Sequence, residues 1–310
     1  MRKQRLQADL VLLLVALIWG VSIVLQHIAA AEVQAYMFNG VRFLLGVIVI
    51  LPFAIHEASG IAVPDGDRSS IEVVSLARLL PVKYLPGVFL TGLLLAAGSA
   101  FQQIGMKYTT ASNAGFITGL YVVFVPIFLT FGGLRKVPRP MVWIAALLSA
   151  CGLFLLSTSG HFRVNRGDLL VLAGSVFWAL HVILVDWMVR RVRVMQFVVG
   201  QSLVCGLVSL VVGMYLEPQA LQPIVSYWWL LAYTGIIAVG VGFTFQAVGQ
   251  RMAPPADTAI ILSMESVFAA IGGWLFLAES LTPLQLLGGG IILLGMMVAQ
   301  SDVILEKRLT

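Results

Sequence analysis

The sequence predicts an all-α integral membrane protein whose ten transmembrane helices form two inverted five-helix repeats, with both termini in the cytoplasm. Three observations support this prediction: an apolar composition, ten apolar runs of spanning length, and a repeat between the two halves of the chain. Of the 310 residues, 60% are hydrophobic and 11% are charged, whereas soluble domains average about 45 to 50% and about 25%. The mean hydropathy of +0.99 therefore favours a bilayer as the surrounding solvent.

Turn residues and charges divide the chain into ten apolar runs, most of them close to the length of about 20 residues that crosses a bilayer. The predicted spans are residues 9–29, 35–55, 85–106, 113–134, 141–157, 168–188, 196–216, 228–250, 257–277 and 284–301. The fifth and tenth are short and rich in glycine and alanine. The predicted repeats are residues 1–158 and 159–310, and residues 56–83 are predicted to form a cytoplasmic connector of unassigned role.

The basic residues predict the orientation of the chain. With a cytoplasmic N-terminus, the predicted inner loops carry 15 of the 19 lysines and arginines, and the outer loops carry only Lys107, Arg163 and Arg166. The remaining one, Arg42, falls inside the second span. This bias follows the positive-inside rule and requires an even number of crossings. It predicts a multi-pass protein of the cell (inner or plasma) membrane.

The N-terminus also has features of a cleaved signal, because a basic start and an apolar run precede Ala29, Ala30 and Ala31. The apolar run is longer than the about 7 to 15 residues of a signal peptide. The internal repeat also requires this segment. We therefore interpret it as the first span.

The two halves of the chain align with each other. Residues 8–24, ADLVLLLVALIWGVSIV, match residues 167–183, GDLLVLAGSVFWALHVI, and place Trp19 over Trp178. Further along, FQQIGMKYTTASN at 101–113 matches FQAVGQRMAPPAD at 245–257. Because each half has an odd number of spans, the halves insert in opposite orientations. Repeats of this kind place a binding site near the midplane and work by alternating access.

These segments resemble the EamA family of the drug/metabolite transporter superfamily. The resemblance rests on Trp19-Gly20, Arg42, QQIGMKYTTASNAGFITGLYVVFVPIF at 102–128, and SMESVFAAIGGWLFLAESLTPLQLLGGGIILLGMM at 263–297. It implies ten helices in two inverted repeats, a central cavity lined by helices 1, 3, 4, 6, 8 and 9, and commonly the export of amino acids or other small metabolites. Two departures are Ser266, where the family often has proline, and the loop LRKVPRP, where an acidic residue is common. The first leaves open whether the ninth span is kinked.

Glu265 is the sharpest candidate for a functional residue, because it is the one acid in the interior of the ninth span. A carboxylate in a bilayer costs about 2.5 to 3.5 kcal/mol on insertion scales, so such residues are candidates for a substrate, ion or proton pathway. Asp257 and Glu265 share one helix face, and Tyr121 stands at the position equivalent to Glu265 in the fourth span. The alternative readings are a structural acid at Glu265 and a helix cap at Asp257.

Other polar side chains recur on matching helix faces. Trp19, Ser22 and Gln26 share a face of the first span, and Trp178 and His181 repeat the first two positions in the sixth. Two related indoles would wall a cavity from both sides, although tryptophan also packs or anchors spans. His181 either carries a proton or is a neutral ring bonded to a neighbouring helix.

Three further residues complete the candidate pathway. Gln102 and Gln246 coincide under the second match, and amides in lipid need either a substrate or another helix as partner. Arg42 has three interpretations: an ion pair with Glu265, a side chain that extends outward to the interface, or a ligand for a substrate carboxylate. Asp186 is predicted to pair with Arg190 at the membrane interface. The predicted substrate or proton pathway comprises Glu265, Trp19, Ser22, Arg42, Gln102, Tyr121, Trp178, His181 and Gln246.

Three functional classes follow. The leading one is a secondary exporter of small polar metabolites such as amino acids or their analogues, with proton coupling through Glu265. A sugar-phosphate or nucleotide-sugar exchanger is the alternative, although it needs several basic residues in the cavity and the spans contain only Arg42. A membrane enzyme is the third, but the sequence has no GxSxG, HExxH or ATP-binding GxxxxGK[ST] motif.

The expected partners are a small-molecule substrate and the lipid bilayer. Nucleic acid is not expected, because the basic residues are scattered in short clusters between apolar runs. No cofactor is expected, and Cys151 and Cys205 lack the spacing of a metal or redox site. The glycine-rich tenth span gives a smooth face that suits either the ninth span or a second protomer in a homodimer.

Overall fold

The computed structural model is a bundle of helices. It describes residues 2–59, 82–132, 138–158, 165–217, 225–278 and 280–305, and within these ranges there is no β-strand. Most of the predicted connector at 56–83 lies outside the described residues.

The helices follow the order of the predicted spans, and we number them α1 to α10. Their bounds are α1 Arg2–Glu32, α2 Ala35–Ser59, α3 Leu85–Gly105, α4a Ala111–Gly119, α4b Tyr121–Phe131, α5 Pro140–Thr158, α6 Arg166–Val189, α7 Val194–Leu216, α8 Trp228–Met252, α9a Pro255–Leu262, α9b Glu265–Phe276 and α10 Pro283–Leu305. A 3-10 turn, Val82–Tyr84, precedes α3.

Length and composition support a multi-pass membrane protein. Eight described segments are long and apolar enough to cross a bilayer, and the apolar parts of α5 and α10, Pro140–Leu156 and Pro283–Ala299, are shorter. These are the two spans that the sequence predicted to be short. The number of ten crossings, the two-repeat organisation and the cytoplasmic termini stay predictions.

The helix pairings have a regular pattern. In the described chain, α1 packs on α8 and α9, while α6 packs on α3 and α4. Under the predicted repeat, α1 corresponds to α6, α8 to α3 and α9 to α4. The contacts of α1 therefore correspond to the contacts of α6. The same correspondence leaves the pairs α2 with α7 and α5 with α10 unchanged. This is the pattern of contacts that two equivalent halves would produce.

Helices α4 and α9 are both interrupted in the middle, which the spacing of apolar residues did not predict. The α4 break lies at Leu120, and the α9 break lies at Ser263 and Met264. The break in α9 therefore forms without a proline at Ser266. Across it, the Ser266 hydroxyl donates a hydrogen bond of 2.6 Å to the Gly115 carbonyl of α4a. The two interrupted helices are thus held together beside their breaks.

Helix α8 contains a second irregularity. Its central 12 residues, Ala232–Phe243, form a π-helix between two α-helical ends. Such wide turns are rare in proteins and are frequent at functional sites. Here the wide turns contribute Ala238, Val239 and Phe243 to the cavity described below.

The glycines of α10 are used mainly inside the chain. A Cβ atom added to Gly288 would lie 2.6 Å from the Gly152 carbonyl oxygen of α5, and one added to Gly295 would lie 3.0 Å from the Ala145 carbonyl. Gly289 faces Val267 of α9b, whereas a Cβ on Gly290 meets nothing within 4 Å. Close approach to α5 therefore explains two of the four glycines. The homodimer through α10 stays a prediction.

We expect Gly288→Ala to destabilise the protein, because the added methyl group would force α10 away from the backbone of α5. Overpacking of this kind costs about 1 to 3 kcal/mol. The measurement is the thermal unfolding midpoint of the purified protein in detergent. Gly290→Ala is the matched control and should unfold like the wild type. Equal midpoints for Gly288→Ala and the wild type would contradict the close packing.

Candidate functional site

A narrow cavity lies in the bundle, between helices of the two predicted halves. The volume open to the centres of water molecules is about 50 Å³, which is room for about three to five waters. Its lining residues are Trp19, Ser22, Ile23, Gln26, Arg42, Gln102, Thr118, Tyr121, Trp178, Val182, Ala238, Val239, Phe243, Gln246, Leu262 and Glu265. The helices that contribute are α1, α2, α3, α4, α6, α8 and α9.

The structure brings eight of the nine predicted pathway residues together around this cavity. They are Trp19, Ser22, Arg42, Gln102, Tyr121, Trp178, Gln246 and Glu265. The ninth, His181, is buried beside the wall. Its ring packs edge-on against Trp178 and Phe243, and its Nε2 atom lies 3.0 Å from the Gln201 Oε1 atom of α7. His181 therefore has the bonded neighbour of its second interpretation.

Glu265 and Tyr121 occupy equivalent places at the two helix breaks. Glu265 is the first residue of α9b, and Tyr121 is the first residue of α4b. Glu265 is only 3% exposed, and its carboxyl group faces the buried Tyr121 hydroxyl. The interaction between these two side chains joins the two helix breaks across the cavity.

A glycine allows α1 to approach the break in α9. A Cβ atom added to Gly20 would lie 2.8 Å from the Glu265 carbonyl oxygen. The backbone of α1 therefore rests directly on the first turn of α9b. This contact brings Trp19 and Ser22 to the same cavity as Glu265.

Arg42 lies on the α2 side of the cavity and is 4% exposed. Its guanidinium carbon lies 5.5 Å from the centre of the Phe38 ring and 5.0 Å from that of Phe43, and its Nε donates to Asn39 Oδ1 at 3.0 Å. No ion pair joins Arg42 to a carboxylate within the described part of the chain, Glu265 included. The ion pair with Glu265 therefore does not match the structure. The contact with a substrate carboxylate stays a prediction.

Two indoles and a phenyl ring form the apolar wall. Phe243 packs against Trp19 with ring centres 5.0 Å apart and against Trp178 at 6.3 Å. Each tryptophan also rests on a glycine of the opposite half, Trp19 on Gly242 of α8 and Trp178 on Gly98 of α3. A larger residue at either position would displace the indole. Trp19 donates its Nε1 hydrogen to the Ala238 carbonyl at 3.0 Å.

The amide side chains are only partly satisfied. Gln102 donates to the Thr118 hydroxyl at 3.0 Å, and Gln26 donates to Ser22 at 3.0 Å. The Oε1 atoms of Gln26 and Gln246 and the Trp178 Nε1 atom are buried without a partner in the described structure. Buried polar atoms of this kind normally have a partner. The cavity therefore offers both acceptors and a donor to a polar guest.

The structure adds residues that we had not selected from the sequence. Thr118 lies one helical turn before Tyr121, and Phe243 lies one turn before Gln246. Gln26 lies on the face predicted for Trp19 and Ser22. The periodicity of these faces was a usable signal for all three. The contribution of Phe243 also depends on the π-helix, which has no comparable signal.

Two acids near the helix ends are paired with arginines and do not line the cavity. Asp257 caps no helix through its side chain, and its Oδ2 atom accepts from Arg5 at 2.6 Å and Arg139 at 3.0 Å. The cap interpretation is therefore wrong. The predicted pair of Asp186 with Arg190 is present at 2.6 Å. Glu265 is the carboxyl group that lines the cavity.

The cavity combines an apolar surface with a few polar side chains. An apolar wall surrounds one guanidinium, one carboxyl group and several amides. The described residues contain no group of three or more histidine, cysteine, aspartate or glutamate side chains that could hold a metal ion. A small polar molecule with complementary charges is the guest that such a cavity suits. At its present volume the cavity would have to widen to admit one.

Comparison with known proteins agrees with the resemblance seen in the sequence. The EamA-like transporter family matches the chain twice, at residues 6–158 and 165–300. These two segments nearly coincide with the predicted repeats.

Individual relatives are similar over almost the whole chain. An uncharacterized transporter of Archaeoglobus fulgidus is 30% identical and covers 97% of this chain and 88% of its own length. The uncharacterized transporter YwfM of Bacillus subtilis is 26% identical, with coverage of 94% and 92%. The uncharacterized inner membrane transporter YedA of Escherichia coli K12 is 24% identical, with coverage of 89% and 85%.

A solved crystal structure has the same fold. It aligns with a TM-score of 0.74 over 94% of this chain and 95% of its own, at 19% sequence identity. At this identity the likeness concerns the fold alone.

Proposed function

Because the chain belongs to the EamA-like transporter family, we propose that it is a secondary active transporter that exports small zwitterionic metabolites, such as amino acids or their analogues. The cavity between the two halves is the binding site in this proposal, and alternating access carries the substrate across the membrane. The chain is a multi-pass membrane protein. By analogy with its relative in E. coli, we place it in the inner or plasma membrane.

One observation carries the proposal: the cavity contains a buried guanidinium and a buried carboxyl group that are not paired with each other. Arg42 and Glu265 both line the cavity, and neither has a charged partner among the described side chains. Unpaired charges in an apolar bundle are expensive to keep. A substrate that brings one charge of each sign would compensate both.

The chemistry of each side fits one end of a zwitterion. A guanidinium binds a carboxylate through two parallel charge-assisted hydrogen bonds. Opposite charge favours an ammonium group near Glu265, and the faces of Trp19, Trp178 and Phe243 suit a cation or an apolar substrate side chain. The Oε1 atoms of Gln26 and Gln246 would accept hydrogen bonds from the ammonium group. The small volume favours a metabolite over a larger molecule.

Glu265 gives the transporter a means of using a proton gradient. In the closed state the carboxyl group is nearly shut off from solvent. When the cavity opens to water on either side, the cost of charging the carboxyl falls. Substrate and proton would then exchange at this one group, which is how we propose that export is driven. The direction of net transport depends on the gradients.

The sugar-phosphate alternative has less support. A phosphorylated sugar or nucleotide sugar carries two or more negative charges, and the described cavity wall supplies one basic residue, Arg42. Glu265 on the same wall would repel the phosphate. A membrane enzyme is likewise not favoured, since the family match and the relatives' names point to transport.

We expect Glu265→Gln to abolish export or to uncouple it from the proton gradient. The substitution keeps the shape of the side chain but removes the charge that pairs with the ammonium group and the site that carries the proton. The measurement is the time course of amino acids appearing in the medium of cells that express each variant at equal membrane abundance.

Glu32→Gln is the matched control, because it neutralises a carboxylate at the exposed end of α1. It should export like the wild type. If Glu265→Gln exports at the wild-type rate, Glu265 is structural and the proposal loses its charged site.

We expect Arg42→Gln to weaken the binding of carboxylate substrates more than that of their carboxamides. A hydrogen bond to a charged group contributes about 1.5 to 3 kcal/mol, so half-saturation should rise by about 10- to 100-fold. Arg42→Lys keeps the positive charge but cannot make two parallel hydrogen bonds to a carboxylate. Its half-saturation concentration should therefore lie between those of the wild type and Arg42→Gln. The measurement is transport at varied substrate concentration in proteoliposomes.

Lys107→Gln, which removes an exposed basic residue outside the cavity, is the control for Arg42. If Arg42→Gln raises the half-saturation concentration equally for carboxylates and carboxamides, Arg42 does not bind the substrate carboxylate.

A further inference from the structure

Four charged side chains meet at the end of the bundle where the chain begins. Arg5 donates to Asp257 at 2.6 Å and lies 3.2 Å from Asp9 of the same helix, while Arg139 reaches Asp257 at 3.0 Å. The Asp257 side chain is 2% exposed and that of Arg5 is 13% exposed. Asp257 and Arg5 are therefore the shielded part of the cluster, and Arg139 is its half-exposed part, with a side chain that is 41% exposed. We call Arg5, Arg139 and Asp257 the ionic cluster.

The cluster joins three helices from both predicted halves. Arg5 lies near the start of α1, Arg139 immediately precedes α5, and Asp257 lies in the first turn of α9a. The first two helices belong to the first half and the third belongs to the second. Alternating access requires the halves to separate at one end at a time. An ionic contact across them would have to break whenever this end opens.

Helix α9a connects the cluster directly to the cavity. It has eight residues, all of them buried, and it ends at the break that precedes Glu265. Leu262, its last residue, lines the cavity. The other arm of the cluster, α1, carries Trp19 and Ser22. The backbones of α9a and α1 therefore join the cluster to the cavity wall.

The opposite end of the bundle cannot form the same cluster. Under the offset that aligns the second match, the residue equivalent to Asp257 is Asn113, which carries no charge. At that end Asp168 accepts from the Thr109 hydroxyl at 2.6 Å and closes a capping box with Asn165. The two ends of the bundle are therefore held by different polar contacts.

Ion pairs suit a contact that must open repeatedly. When buried charges separate, they lose Coulomb attraction and regain hydration, and the two terms nearly cancel. Exposing an equal apolar surface to water is unfavourable, and no favourable hydration offsets its cost. Deleting one partner is different, because it leaves a buried charge uncompensated. The cluster would thus be stable when closed, yet open without a large penalty.

We propose that Arg5, Arg139 and Asp257 form an ionic gate that keeps the cavity closed toward the side of the membrane where the N-terminus lies. The gate opens when that side admits substrate. This inference rests on the proposed transport function, because a gate has a role only if the cavity opens. Its test is designed to need no substrate.

The test is the labelling rate of a cysteine placed in the cavity. Val182 lines the cavity and takes no part in the proposed charge recognition, so Val182→Cys is introduced after Cys151 and Cys205 are replaced by alanine. Membrane vesicles that expose the N-terminal side receive a membrane-impermeant thiol reagent. We expect Asp257→Asn and Arg5→Gln each to accelerate labelling on the order of tenfold, a usual size for coupling between a contact and a conformational equilibrium.

Two controls separate gating from general loosening. Asp257→Glu keeps the charge and should label as slowly as the parent. Arg190→Gln removes a different arginine–carboxylate pair, that with Asp186, and should also leave labelling slow. If Arg5→Gln or Asp257→Asn does not reach the membrane, Arg139→Gln, whose side chain is 41% exposed, supplies the measurement.

The outcomes are distinct from those of the transport assays. Unchanged labelling in the cluster variants would show that the cluster is only structural and would overturn the gate. Equal acceleration by Arg190→Gln would also overturn it. Either result would leave the transport role of Glu265 standing, because that role is measured by flux.

Discussion

The structure depends on the placement of two ionisable groups inside an apolar bundle. Glu265 and Arg42 are 3% and 4% exposed, and each stands where a hydrocarbon side chain would be the simpler choice. In a bilayer such groups are stable only with compensation from partners, dipoles or water. The protein supplies part of it: the Tyr121 hydroxyl beside Glu265, and two phenyl rings with an asparagine around Arg42. In our proposal, a molecule bound in the cavity supplies the rest of the compensation for Glu265 and Arg42.

The helix breaks explain how the bundle can keep a polar site at depth. An unbroken helix makes all its interior backbone hydrogen bonds within itself, and its side chains project at regular intervals around the axis. The paired interruptions in α4 and α9 place Tyr121 and Glu265 at the first turn of two new helices facing one cavity. The break at Ser263 and Met264 also separates α9a, which carries Asp257, from α9b, which carries Glu265. The same break therefore lies between the proposed gate and the binding site.

The sequence was informative wherever hydrophobic periodicity controls the outcome. All ten predicted spans correspond to described helices, with ends that differ by a few residues, as at α1, which extends from Arg2 to Glu32. Eight of nine predicted site residues surround one cavity, because the repeat and the helical faces identify inward positions. The family resemblance pointed to six of the seven helices that line the cavity, and α2, which contributes Arg42, is the addition.

Other features could not be predicted, for identifiable reasons. The break at Met264 has no proline, and the π-helix in α8 has no sequence signal, because both depend on packing between helices. His181 could not be placed without knowing that Gln201 of α7 faces it. The partners of Asp257 lie 252 and 118 residues away in the chain, and no local pattern connects them. Hydrophobic periodicity shows which side of a helix faces inward, but the contact partner of a side chain is known only from the folded structure.

The central claim is that the cavity recognises a substrate by one positive and one negative charge together. The most direct measurement is efflux from proteoliposomes containing purified wild-type protein and loaded with an equal mixture of amino acids, their N-acetyl derivatives and their carboxamides. The account predicts that the zwitterions leave much faster than either derivative, because each derivative lacks one of the two charges. Equal efflux of all three forms, or preference for a singly charged form, would contradict it.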